Sequence, residues 1–212
     1  MQAHPSNRGM ATSPQFPDQA VTAAAVPTRH GRGRPGVLLD RDGTIIVDHG
    51  YVGTIERVEM IPGAAAAIAS LNHVGLPVAV LTNQAGVARG YFGLEDVEAV
   101  NSHISEQLAR HGAHVDLFLF CPYHPEGVVE AFAHSSEDRK PGPGMAKAAA
   151  QALGLDLQSC WVVGDRPEDM QLAANIGATP LWVGPPDGAP QGVPELPSLA
   201  EAAAYIMERL AA

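Results

Sequence analysis

The sequence predicts an α/β fold, a doubly wound parallel sheet with a Rossmann-like core and no separate cap domain. Three observations carry that prediction. Short apolar runs bounded by turn residues recur along the chain, helix-like segments with recognisable ends alternate with them, and the polar clusters that follow the runs gather at one end of the strands. The apolar runs are Val37–Leu39, Val78–Leu81, Leu117–Phe120, Trp161–Val163 and Leu181–Val183. Each reads as a parallel strand buried on both faces.

The helices follow in order. Ala64–Val74 stops at Gly75, and Glu95–His111 stops at Gly112. Gly144–Leu153 follows Pro143 and stops at Gly154, and Asp169–Ile176 stops at Gly177. A last helix opens at Ser198-Leu-Ala-Glu201, the pattern of a capping box. The loop through Pro62 and the helix after Gly63 fill most of the 38 positions from Thr44 to Thr82, so no cap domain fits there. The 84–140 stretch has room for one helix, one strand and a loop.

Composition bounds the function. The 212 residues suffice for one α/β domain, and an apolar content of 46% supports a globular chain. Residues 36–212 are expected to form that domain. Residues 1–35, rich in proline and small polar residues without an apolar period, read as a mobile tail. No run of about 18 apolar residues is present to span a membrane. Two cysteines, Cys121 and Cys160, give no disulfide framework and suit a reducing cytoplasm. A net charge of −10 argues against nucleic acid as a partner. The expected partner is a small phosphorylated metabolite, met by a monomeric cytoplasmic protein.

The chemistry lies after the strands. Val37–Leu39 runs into Asp40-Arg-Asp-Gly-Thr44, Val78–Leu81 into Thr82-Asn-Gln84, and Trp161–Val163 into Gly164-Asp165-Arg166. In an open α/β sheet ligands bind outside the carboxyl ends of the strands. Asp40 and Asp42, two apart with Gly43 to turn the chain, suit phosphate-monoester hydrolysis through an aspartyl-phosphate. Asp40 would attack phosphorus, and Asp42 would protonate the leaving oxygen and then activate water. Two carboxylates facing a phosphate require a cation; Mg²⁺ is the hard, oxygen-seeking candidate, and Asp165 offers it another carboxylate. Thr82 and Lys140 would hold phosphoryl oxygens. Taken singly, each piece has a plainer role: Asp42-Gly43 as a turn, Thr82, Asn83 or Asp165 as helix caps, Lys140 as a surface lysine. A calcium loop is excluded, because Ile45 and Tyr51 stand at its sixth and twelfth positions. The ordered combination, each cluster after a strand, favours the catalytic reading.

With these residues in view, the sequence resembles the haloacid-dehalogenase-like phosphatases. LLDRDGT, VLTN, the lysine of RKP, and VVGDRPED are similar to that superfamily's four motifs, in order. LLDRDGTIIVDHGYV, MIPGAAAAI, LTNQAGVARGYF, FCPYHPEG, RKPGPGM and VVGDRPEDM further resemble the subfamily of heptose-bisphosphate and histidinol-phosphate phosphatases, over roughly residues 37–185. The resemblance implies Asp40 as nucleophile and Mg²⁺ ligand, Asp42 as acid/base giving its backbone carbonyl to the metal, Thr82 and Lys140 on the phosphoryl group, and Asp165 completing the metal site. It also implies that Asp48, His49, Gly50 and Tyr51 meet the sugar, with Asn83, Gln84 and Arg139 nearby. The substrate implied is the 7-phosphate of a heptose bisphosphate. Alternatives are histidinol phosphate, another sugar phosphate, or a non-catalytic phosphosugar-binding role. Arg166 stands where these enzymes usually have lysine.

One departure is larger. The subfamily often holds a structural zinc through a C-x-H and a C-x-C pair, whereas this chain has Cys121, Tyr123, Ser136 and Asp138 there. No zinc is expected, although Cys121, His124, His134 and Asp138 leave an improvised set conceivable.

Overall fold

The computed structural model describes residues 33–211. Five strands form one wholly parallel sheet: β1 (Val37–Leu39), β2 (Val78–Asn83), β3 (Leu117–Cys121), β4 (Trp161–Gly164) and β5 (Thr179–Trp182). Their order across the sheet is β3-β2-β1-β4-β5. The chain builds outward from β1 to β3, then returns to the other side of β1 to lay down β4 and β5. This reversal puts the topological switch point beside β1, where an α/β sheet opens a crevice.

Alternation along each strand divides the core. Val37, Leu39, Val78, Val80, Trp161 and Val163 face one side and pack against α1 (Ala64–His73), α3 (Leu94–Ala109) and α6 (Leu199–Leu210). Leu38, Ala79, Leu81 and Val162 face the other side, against α4 (Gly144–Leu153) and α5 (Pro167–Ile176). A sheet covered on both faces needs apolar residues at every central-strand position, which is why these strands read as unbroken apolar runs. A short helix, α2 (Ala85–Ala88), follows β2 directly.

Three expectations need adjustment. β3 is only half-buried along Leu117–Phe120, because it is an edge strand and one flank has no neighbour. The last strand is Thr179–Trp182 rather than Leu181–Val183, and its first residues are polar or partly exposed because β5 forms the other edge. α5 begins at Pro167, two residues before the expected start at Asp169. Proline at the first helical position sacrifices no hydrogen bond, and Asp169 Oδ2 accepts from Arg166 N at 3.2 Å to close the turn.

At the N-terminal side, the fold takes in Arg34. Its backbone N donates to Gly154 O at 3.0 Å, and its backbone O accepts from Asp156 N at 2.9 Å. Of the tail expected over 1–35, residues 1–32 lie outside the described residues. Among the described residues no helix is long and apolar enough to cross a membrane; between β1 and β2 lie one 3-10 turn and α1, and between β2 and β3 lie α2 and α3.

Candidate active site

β1 ends at Leu39, and Asp40 N donates to Val163 O at 2.9 Å, which ties the first catalytic candidate to β4. The chain then turns back on itself, with Gly43 N donating to Ile46 O at 2.7 Å. Gly43 has φ +86° in the left-handed region, and a Cβ placed there would stand 2.1 Å from Asp165 Oδ2. Only glycine lets the β1 loop and the carboxylate after β4 approach this closely.

Asp40, Lys140 and Asp169 form the buried centre. Lys140 Nζ donates to Asp40 Oδ1 and pairs with Asp169 Oδ1, each at 2.7 Å, and all three side chains are under a tenth exposed. The lysine backbone is fixed as well: its N donates to Asn83 Oδ1 at 2.9 Å, and its O accepts from Asn83 Nδ2 at 3.0 Å. Asn83, expected near the sugar, thus braces Lys140 while still lining the cavity. Asp169 was not anticipated. It stands four residues after Asp165, and an aspartate in the first turn of a helix ordinarily reads as a cap or dipole partner.

Carboxylate oxygens of Asp40, Asp165 and Asp169 lie within 4.8 Å of one another. One ammonium cannot balance three such groups. Burial pushes the Asp40 carboxyl up, with Asp169 and Asp42 adding to the rise and Lys140 opposing it. Asp165 is pushed up to about 6, first by burial and then by Asp169. Burial works against the charge on Lys140, but Asp40 and Asp169 outweigh it and raise its pKa. An isolated, solvated ion pair would lower its acid; here Asp40 shifts upward first through burial and then through the neighbouring carboxylates, and Lys140 shifts upward through Asp40 and Asp169. Asp165 Oδ1 is also buried without a hydrogen-bond partner. Hard oxygen donors, surplus negative charge and one orphaned oxygen together fit a divalent cation such as Mg²⁺.

Asp42 is held differently. Arg41 Nε donates to Asp42 Oδ2 at 3.0 Å, and Arg41 Nη2 donates to Oδ1 at 3.1 Å. Gln84 Nε2 and Thr82 Oγ1 also donate to Oδ2, at 2.9 and 3.3 Å. Thr82 and Gln84, expected on phosphate and sugar, are both buried and both engage this carboxylate.

A cavity of about 610 Å³ opens over these groups, and Asp40, Asp42, Asp48, Gly50, Tyr51, Asn83, Gln84, Arg139, Lys140 and Arg166 are among its walls. Asp48 accepts from Arg166 on one oxygen and from Gly50 N, at 2.8 Å, on the other. His49 does not line the cavity; its ring faces Glu59, with Nε2 2.9 Å from Oε2. Arg57 Nη2 donates to the His49 and Gly50 carbonyls at 2.7 and 3.0 Å. Tyr51 takes a left-handed φ of 53° and meets Tyr91 edge-to-face at 4.8 Å. Arg139 also lines the cavity, and its Nη1 is buried without a partner.

In the loop after β3, the Tyr123 ring meets His134 at 4.4 Å and Phe132 at 5.9 Å, both in tilted contacts. Cys121 is buried and points its thiol toward Tyr123 O at 3.9 Å. Cys121, His124, His134 and Asp138 are not gathered into a metal-binding set among the described residues.

The chain is similar to proteins of known family. The HAD-hydrolase-like family model matches residues 138–211. The D-glycero-β-D-manno-heptose-1,7-bisphosphate 7-phosphatase of Rhodopseudomonas palustris is 44% identical over 144 residues, 68% of this chain and 80% of that protein. The enzyme of the same name from Escherichia coli K12 is 39% identical over 179 residues, 84% of this chain and 90% of that one. Among solved structures, the D,D-heptose 1,7-bisphosphate phosphatase of B. bronchiseptica complexed with magnesium and phosphate superposes with a TM-score of 0.73 at 30% identity, over 82% of this chain and 99% of that one. A HAD-like phosphatase from Mesorhizobium loti gives a TM-score of 0.76 at 36% identity, over 88% and 92% of the two chains.

Proposed function

The chain belongs to the haloacid-dehalogenase-like hydrolases as a phosphoric monoester hydrolase of their heptose-bisphosphate phosphatase branch, and on that premise we propose that it removes the 7-phosphate of D-glycero-D-manno-heptose 1,7-bisphosphate, with Asp40 as nucleophile. The observation that carries the residue assignment is the buried centre itself: Asp40, in the cavity wall, held by Lys140 and crowded by Asp165 and Asp169.

Asp40, Asp165 and Asp169 would hold Mg²⁺ through side-chain oxygens, with the Asp42 carbonyl beside them. The metal would neutralise the carboxylates and polarise the phosphoryl group. Asp40 attacks phosphorus as the bond to the sugar oxygen breaks, and Asp42 gives that oxygen a proton. Asp42 then takes a proton from the water that releases phosphate from Asp40. Lys140 keeps Asp40 oriented and meets charge on the phosphoryl oxygens, while Thr82 and Gln84 steady Asp42. Arg139, in the cavity wall, would receive the second phosphate of the substrate. Asp48, Gly50 and Tyr51 would meet the sugar. The free, buried cysteines suit a reducing compartment, and the enzyme would act in the cytoplasm.

The test is turnover of heptose 1,7-bisphosphate, histidinol phosphate and hexose phosphates in Mg²⁺. The bisphosphate should give the highest kcat/KM. A preference for histidinol phosphate would remove the heptose assignment and leave the general phosphatase.

A further inference from the structure

Arg41 is the residue between the two aspartates, and it is fully buried. Its guanidinium meets four acceptors: both oxygens of Asp42, Asn101 Oδ1 on α3 at 3.1 Å, and Val52 O at 3.2 Å. A buried cation carries a large desolvation cost, so these acceptors fix the side chain in one place. The forked donor also fixes the plane of the carboxylate it grips, as a lysine could not.

The two oxygens of Asp42 are left unequal. Oδ2 takes three donors, from Arg41 Nε, Gln84 Nε2 and Thr82 Oγ1, and has no lone pair left for a proton. Oδ1 takes one, from Arg41 Nη2. Asp42 is also in the cavity wall, with its side chain 19% exposed. We infer that Arg41, anchored by Asn101 and the Val52 carbonyl, is a positioning residue that saturates Asp42 Oδ2 and presents Oδ1 as the oxygen that exchanges the proton. This rests on the proposed acid/base role of Asp42. In the first half-reaction the bond from phosphorus to the leaving oxygen breaks, the Asp40 oxygen bonds to phosphorus, and the Oδ1 proton passes to the leaving oxygen. In the second, water bonds to phosphorus, its proton returns to Oδ1, and the bond to Asp40 breaks. The Val52 contact also links Asp42 to the loop that carries Asp48, Gly50 and Tyr51.

A general acid matters most when the leaving group is poor. The measurement is therefore kcat/KM, which reports the step that forms the phosphoenzyme, for a sugar phosphate and for 4-nitrophenyl phosphate, whose leaving group departs without a proton. Asp42→Asn sets the reference, with an expected loss of ~10²–10⁴-fold on the sugar phosphate and a far smaller one on the aryl phosphate. Arg41→Lys should reproduce that skew, losing at least ~10-fold more on the sugar phosphate than on the aryl phosphate. Asn101→Ala removes one remote anchor, and should show the same skew at roughly 3- to 5-fold. This variant keeps the question answerable if Arg41→Lys does not fold. For the aryl phosphate, kcat should fall in all three variants, since water activation uses the same oxygen. Equal losses on both substrates in Arg41→Lys and Asn101→Ala, beside a skewed Asp42→Asn, would reduce Arg41 to a structural brace. An unskewed Asp42→Asn would instead remove the acid/base reading, and the positioning role with it.

Discussion

At the scale of single residues, the site is a problem of charge placed close together. Asp40 is buried and crowded by carboxylates, so its working form depends on Lys140 and on a cation. Asp40→Asn keeps the shape but removes the attacking oxygen, and turnover should fall more than about 10³-fold while the fold persists. Near-normal steady-state rates would contradict covalent catalysis. Gly43→Ala tests the close approach, because a Cβ would meet the Asp165 carboxylate on a left-handed backbone. It should cost about 1–2 kcal/mol in stability and displace Asp165, seen as weaker metal affinity in calorimetry. Arg139→Ala removes a guanidinium from the cavity wall. Loss of one charge-assisted contact, about 1.5–3 kcal/mol, should lower kcat/KM for a bisphosphate sugar roughly 10- to 150-fold. A simple monophosphate should change far less, and an equal loss on both would end the second-phosphate role of Arg139.

At the scale of elements, the sequence disclosed most where two faces are buried. β1, β2 and β4 are legible as apolar runs because neither face tolerates a polar side chain, and the clusters after them are legible because they interrupt those runs. The edges were harder to read: β3 and β5 each lack a neighbour, so burial weakens and boundaries move. Asp169 was hidden by its place in the first turn of α5, where a local role explains it equally well. The reach of Arg41 was hidden because its partners lie as far along the chain as Asn101, and no spacing rule joins them. Likewise, the family resemblance groups His49 with the residues that meet the sugar, whereas its ring faces Glu59. The turn that carries His49 is itself an element with a testable role. Arg57 holds two of its carbonyls, and Tyr51 beyond them is in a conformation that non-glycine residues rarely adopt. Arg57→Ala should let the turn relax and raise KM for the sugar phosphate roughly 10-fold, equivalent to about 1.4 kcal/mol of uniform binding, with kcat little changed. A fall in kcat at constant KM would mean that the turn serves the chemical step instead.

At the scale of the whole molecule, the fold brings segments from distant parts of the sequence to one point at the switch beside β1. Asp40 follows β1, Lys140 precedes α4, Asp165 follows β4, and Asp169 lies in the first turn of α5. Each segment brings charge, and the carboxylates outnumber the ammonium, so this arrangement opposes folding until a cation joins it. Mg²⁺ therefore links function to global stability. Binding to the native state alone stabilises by about 2.7 kcal/mol at one hundred times Kd, and a domain of this size shifts by about 2–4 °C per kcal/mol. Saturating Mg²⁺ should thus raise Tm by roughly 5–11 °C, and a chelator should abolish both the shift and the activity, with both returning on addition of metal. Asp165→Asn separates charge from packing. The amide is of the same size but carries no charge, so the metal-free Tm should hold or rise as repulsion is relieved, while the Mg²⁺-dependent shift shrinks and turnover falls. If the metal-free variant instead melts well below the wild type and still responds fully to Mg²⁺, Asp165 is a structural carboxylate and the metal site lies among other groups.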